Sequence, residues 1–311
     1  MRAVTKAIID WQQRLPKNVS VPFLHFVYIP FRGVGTGDAF RDDAWFARRI
    51  ELFKRLTARS LIRQYSKNFG LWLSFRPQDE NNPLVDELRT WIQANLGPAY
   101  CSFHGLMYWD DKFTTGAKNR LLNVGRIIRQ GIRTGQWRTL LPSIRELLED
   151  RNGTLVERIG KSLPPIRSNS SSSIVMLTRL DSDDLLHERA IEEIQQNPIN
   201  LGARIFQNGY IYNAQTNELA YYKPSENPPF HTIVFPDTVF YNPELHAEYY
   251  GGFRSHEDVP KVLPARRLPD GRYCVVIHEK RDHISTVWEH PYRGKFIEGQ
   301  EKADVLQALG L

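Results

Sequence analysis

Ile174-Val175-Met176-Leu177-Thr178-Arg179-Leu180-Asp181-Ser182-Asp183-Asp184 is the stretch on which the reading of this chain turns. Four consecutive apolar residues bounded by a polar serine run read as a buried β-strand. That strand leads straight into three carboxylates within four residues. In open α/β sheets, ligand sites form outside the carboxyl ends of the strands. Asp181 and Asp183 are two residues apart, so in an extended turn their carboxylates can converge on one cation, with Asp184 adjoining them. Hard oxygen ligands of this kind suit Mg²⁺ or Mn²⁺, and either ion also takes diphosphate oxygens. The plainer alternative is that Asp181 or Ser182 caps a helix beginning near Leu185, with the other acids complementing its dipole. Capping needs only one such residue, and three crowded carboxylates repel one another without a cation.

Upstream, residues 22–31 form an apolar, aromatic run with a proline at each side, the pattern of a first buried strand. A helix of about 20 residues follows, with Phe46, Ile50, Phe53 and Leu56 on one face and Arg48, Arg49, Lys54 and Arg55 elsewhere on the wheel. Residues 69–75 read as a second strand, and residues 84–95 as a short amphipathic helix. Strand, helix, strand in that order predicts a parallel βαβ unit. Downstream, a helix from about Leu185 carries Ile191 and Ile194. Residues 204–222 alternate around Asn213–Asn217 as a hairpin, and strands follow at 232–235 and 272–278. The expected fold class is α/β: a mixed, mostly parallel, Rossmann-like sheet flanked by helices, in a single domain over 1–311.

The bulk properties narrow the function classes. The 311 residues carry a formal charge of +6. Basic character favours anionic partners without choosing among them. Cys101 and Cys274 stand far apart, neither with a second Cys or a His at zinc spacing, so reduced thiols are expected. No signal-length apolar run opens the chain and no stretch reaches the ~20 apolar residues of a membrane span. A cytoplasmic protein is expected. Residues 117–168 hold eleven basic and four acidic residues and read as a basic helical insertion closed by a serine-rich linker. Such an arm fits an anionic membrane or a phosphorylated glycan; the alternative is a solvated helical arm. No recognised nucleic-acid motif is present, and none of that partner class is expected.

With Arg49, Leu52-Phe53, Ser60-Leu61, Gln64, Asn68-Phe69, Trp72, Thr178–Asp184, Asn208-Gly209-Tyr210, Asn227–Phe230 and Val275–His278 taken together, the chain resembles glycosyltransferases of the GT-A type. More narrowly it resembles a bacterial family described as rhamnosyltransferases. These landmarks span most of the chain apart from 117–168. The resemblance implies an Asp-x-Asp turn that holds Mn²⁺ or Mg²⁺ and a nucleotide-sugar. It assigns Arg179, Asp181 and Asp183 to donor binding, and Asp181, Asp183, Asp184 and His278 to the metal. It also puts Arg32 and Asp38, in the glycine-rich loop after the first strand, near the nucleotide. That loop is neither a P-loop nor a dinucleotide fingerprint. Gly251–Asp258 resembles the segment that supplies the general base in inverting enzymes, which makes Asp258 the first choice and Glu257 the second. His256 and His283 are weaker metal candidates, and Arg281 a candidate diphosphate contact. The expected acceptor is a glycan or a lipid-linked glycan, reached in peripheral contact with an anionic membrane. Two other readings stay open: a nucleotidyltransferase acting on sugar phosphates, and a non-catalytic basic module that binds anionic membrane or nucleic acid.

Overall fold

A computed structural model of the chain describes residues 3–15, 21–31, 42–76, 79–103, 173–225, 228–250, 256–278 and 293–311, with a few isolated positions besides. The first half builds the expected unit. α1 (Ala3–Gln13) precedes β1 (Phe23–Pro30), then come α2 (Asp43–Arg55), α3 (Thr57–Ile62), β2 (Gly70–Phe75), α4 (Pro83–Asn95) and β3 (Ala99–Phe103). β4 (Ile174–Arg179) leads into the acidic turn, followed by β5 (Leu185–Leu186), α5 (Ala190–Gln195), β6 (Gly202–Ile205), β7 (Gly209–Asn213) and β8 (Glu218–Tyr222). β9 (His231–Pro236), α6 (Asp237–Phe240) and α7 (Pro243–Tyr250) come next. A 3-10 turn at His256–Asp258 precedes α8 (Val259–Val262) and β10 (Ala265–Arg267), before β11 (Tyr273–Ile277), β12 (Arg293–Ile297) and α9 (Gly299–Leu309).

The described strands form two sheets. The larger runs β10-β6-β9-β4-β1-β2-β3, parallel throughout except for β9, which is antiparallel to both neighbours. The smaller runs β12-β8-β7-β11-β5 and is mixed. This is an α/β fold with a mostly parallel sheet, as expected. Buried strands with both faces covered need apolar residues at every position, not at alternate ones. β2 and β9 are buried at all six residues, and β4 at its first five. Phe26, Tyr28, Trp72, Val175 and Leu177 join one core with Val4, Val239, Phe240, Tyr249 and Val259 from the helices on that face. Val27, Ile29, Leu71, Leu73 and Met176 join the other with α2 to α5 and with Ile211 and Tyr273 of the small sheet.

α2 is seated by rings. Phe31 packs on Phe53 at 5.1 Å and stacks on Phe75 at 5.5 Å, and Phe46 meets Phe75 at 6.0 Å. Each buried phenylalanine contributes roughly 2–3 kcal/mol in area terms. Asp42 caps the helix by accepting from the Trp45 N–H at 2.7 Å. The result is a rigid helix whose Arg49 faces the acidic turn.

Three expectations need correction. The long helix is two helices, broken at Leu56 (φ −110°, ψ −84°), which lets α3 turn toward β5. Leu185 and Leu186 do not start a helix. Both are fully buried and pair as β5 with Cys274 and Tyr273 of β11, so helix begins only at Ala190. The hairpin starts at Gly209, because Arg204 belongs to β6 in the large sheet. The segment 117–168 lies outside the described residues except at a few positions. Among the described residues, no helix is long and apolar enough to cross a membrane.

Three histidines sit buried and neutral. Gln195 donates to His25 Nδ1 at 3.0 Å, so His25 Nε2–H donates to Thr178 Oγ1 at 2.7 Å, and Thr178 lies 2.5 Å from Thr232 Oγ1. Burial, then the nearby Arg204 charge, holds the His25 pKa down to about 3. His246 stacks on Phe235, and burial lowers it to about 4. Burial, then Arg179 and His256, lowers His231 to about 3. A folded pKa below the unfolded value means that unfolding takes up protons in acid, so stability is present above the unfolded value and lost as pH falls below it. Urea unfolding should show a loss of about 1.5 kcal/mol per histidine between pH 6.5 and pH 5. A stability flat across that window would contradict the burial of these rings.

Candidate functional site

β4 ends at Arg179, at the carboxyl edge of the parallel strands, and the chain turns through Leu180–Asp184. A backbone hydrogen bond from Asp184 N–H to Asp181 O closes the turn at 3.3 Å. Two clamps then fix β5 and the start of α5. Gln64 of the α3 segment donates to the carbonyl of His187 at 2.8 Å and accepts from Ile191 N–H at 3.0 Å. Ser60 Oγ accepts from Leu186 N–H at 3.2 Å. Ser60 and Gln64, both part of the sequence resemblance, thus have a structural task beside the turn. Arg272 grips the buried Glu193 of α5 in a fork of 2.8–2.9 Å contacts.

The three carboxylates of the acidic turn take separate partners, and Ser182 shares Arg49 with Asp183. Asp183 sits between two donors: Arg49 Nη2 lies 2.7 Å from its Oδ1, and His278 Nε2 lies 3.0 Å from its Oδ2. The carboxylate accepts from His278 Nε2–H, so the 3.4 Å approach of Arg49 Nη1 to the same ring nitrogen joins two donors and is a contact only. Arg49 Nε donates to Ser182 Oγ at 2.8 Å. The Arg49 side chain is 11% exposed, Asp183 16% and His278 4%. Asp181 pairs with Arg179 at 3.0 Å and is 29% exposed. Asp184 turns inward, where Oδ1 accepts from the Val276 N–H of β11 at 3.1 Å.

That inward carboxyl carries an electrostatic cost. Burial, then the charges of Asp183 and Asp181, push the Asp184 pKa well up, against the Val276 N–H and the Arg49 charge, which favour the anion. The capping alternative fails on geometry: the acids precede a strand, and α5 starts after Arg189 with no side-chain cap. Three carboxylates can crowd here because two arginines and a backbone N–H take them up one by one.

Asp258 ends the 3-10 turn, 30% exposed, with Lys261 Nζ 3.1 Å from its Oδ1; Glu257 is half-buried in the same turn. Arg179 of β4 and His256 of that turn both act on His231 at the start of β9. β9 runs opposite to β4, so its start lies at the carboxyl edge where the acidic turn lies. Arg32 and Asp38, with the glycines between them, and Gly251–Ser255, Arg281 and His283 lie outside the described residues.

Of the residues singled out in the sequence, the structure therefore brings Asp183 and His278 into contact and sets Asp181 beside Arg179. It sends Asp184 elsewhere. Among the described residues, no group of three or more His, Cys, Asp or Glu side chains is gathered to hold a metal ion. Arg49 is the member that sequence reasoning left without a role. On a helical wheel it is one cation among four, and nothing local tells that it meets a carboxylate from the far half of the chain. No protein-family model matches this sequence, and no curated protein matches it either.

The inward turn of Asp184 makes a specific demand on stability. A raised folded pKa means that the folded state prefers the protonated group, so stability declines as pH rises from the ordinary carboxylate range through the folded value. Asp184→Asn keeps an acceptor for Val276 without the charge and should melt at or above the parent at pH 7. Asp184→Ala orphans a buried N–H and should lose about 1–3 kcal/mol in urea unfolding. Equal losses in the two variants would contradict the assigned hydrogen bond.

Proposed function

We propose that this chain is a glycosyltransferase that moves a hexosyl group, rhamnose among the candidates, from a nucleotide-diphosphate donor to a glycan or lipid-linked acceptor with inversion. The observation that carries the reading is the Arg49–Asp183–His278 cluster at the carboxyl edge of a mostly parallel sheet. Ligands of open α/β sheets bind at that edge. The sequence resemblance to GT-A enzymes assigns the donor to the same turn. The 3-10 turn that carries Glu257 and Asp258 belongs to the same edge, which supports their assignment on the acceptor side.

Mn²⁺ or Mg²⁺ is the cofactor that the resemblance implies, and the residues present do not fit it as arranged. Asp184 is committed to Val276, His278 presents a protonated Nε2 to Asp183, and the Arg49 guanidinium stands against the Asp183 oxygen that would take the ion. The proposed transfer uses side chains of this chain alone. In the proposed reaction Asp258, or Glu257 in its place, takes the acceptor hydroxyl proton. The hydroxyl oxygen bonds to the anomeric carbon, and the sugar–phosphate bond breaks with its electron pair leaving on the diphosphate. Arg179 and Arg49 supply positive charge on that side. The basic segment 117–168 is proposed to hold the enzyme at the cytoplasmic face of an anionic membrane, where a lipid-linked acceptor resides.

The test uses the full chain and a panel of UDP-, GDP- and dTDP-sugars, with release of nucleoside diphosphate as the readout. Release is expected from at least one donor. Asp258→Asn should slow transfer by about 10²-fold or more while donor binding persists. A chain that releases nucleoside diphosphate from no donor, with or without divalent metal, is not this enzyme.

A further inference from the structure

We infer that Arg49, and not a divalent ion, is the cation that receives the donor's diphosphate, with Asp183 as the residue that positions it. This rests on the glycosyltransferase reading and deepens it. Arg49 comes from a helix locked by the Phe31–Phe46–Phe53–Phe75 ring cluster, so its backbone is held independently of the acidic turn. Its guanidinium is then oriented by two separate groups, Asp183 Oδ1 at 2.7 Å through Nη2 and Ser182 Oγ at 2.8 Å through Nε. The Trp45 ring lies 5.9 Å from its central carbon. A guanidinium held this way is preorganised: little side-chain entropy remains to be lost when an anion arrives.

The geometry also accounts for Asp183. A carboxylate flanked by Arg49 on one oxygen and by His278 Nε2–H on the other is arranged to orient donors, not to coordinate a cation. Charge accounting points the same way. Asp181 and Asp183 are each met by an arginine, and the buried Asp184 by a backbone N–H, so each acid of the turn already has a partner within the protein. A guanidinium accepts a diphosphate in bidentate fashion and stabilises the charge that develops on it as the sugar leaves. Arg49 gives and takes no proton in the transfer step.

Isothermal titration of the full chain with UDP, GDP and dTDP, in EDTA and again in millimolar Mn²⁺, separates the possibilities without any variant. The expected result is that at least one nucleoside diphosphate binds in EDTA within about threefold of its affinity in Mn²⁺. Arg49→Gln should weaken that binding at least tenfold in both buffers. Arg49→Lys, which keeps the charge and loses the fork, should recover part of the loss; a purely structural role for Arg49 would show no such recovery. Melting curves report whether each variant folds. Binding that falls tenfold or more in EDTA, or that is unchanged in a folded Arg49→Gln, overturns the inference and leaves the glycosyltransferase reading standing. Binding of no nucleoside diphosphate in either buffer overturns both.

Discussion

The arrangement depends on one ion pair. Arg49 and Asp183 come from opposite halves of the chain and lie 2.7 Å apart in space. Exposed ion pairs contribute little, and fully buried ones can cost more in desolvation than they return. This pair sits between those limits: partly shielded, hydrogen-bonded on both sides, and open at the sheet edge. Remove the arginine and the turn holds a shielded carboxylate facing two others. Remove Asp183 and the guanidinium loses its strongest orienting partner. The pair is thus better understood as a positioning device than as a source of stability.

Much of the rest of the fold serves to bring those two groups together. Aromatic packing seats α2 against β1 and β2, which sets where Arg49 projects. The break at Leu56 lets α3 turn, so that Ser60 and Gln64 reach the backbone of β5 and α5. Those hydrogen bonds, with the Arg272–Glu193 fork, prevent the acidic turn from relaxing into a helix start. His278 arrives from the end of β11, which β5 pairs with directly. Each element constrains the next, and the Arg49–Asp183 pair joins the two halves at the site.

How much of this could be read from the residue string depends on the range of the forces involved. β1, β2, β4 and β9 were legible because burial on both faces demands continuous apolar runs. α2 and α4 were legible because one apolar stripe at helical spacing suits a helix and little else. Leu185-Leu186 misled because a two-residue apolar pair has no period, and only its pairing with β11 makes it a strand. β10, the sequence Ala-Arg-Arg, is exposed and polar, and exists as a strand only because β6 offers it an edge. At the site, Asp181, Asp183 and His278 were visible as residue types at strand ends. The pairing of Arg49 with Asp183 was not, since on its own helix Arg49 is one cation among several, although it stands among the residues of the resemblance. The inward turn of Asp184 was equally hidden, because it answers to a backbone N–H on a strand 92 residues away.

A crystal structure of the full chain soaked with a nucleoside diphosphate and Mn²⁺ shows which cation meets the diphosphate. Diphosphate oxygens are expected within hydrogen-bonding distance of the Arg49 guanidinium, with the Asp183 contact to Arg49 retained. A manganese ion seated between Asp181 and Asp183, with Arg49 swung away from both and no contact between it and the diphosphate, would contradict it.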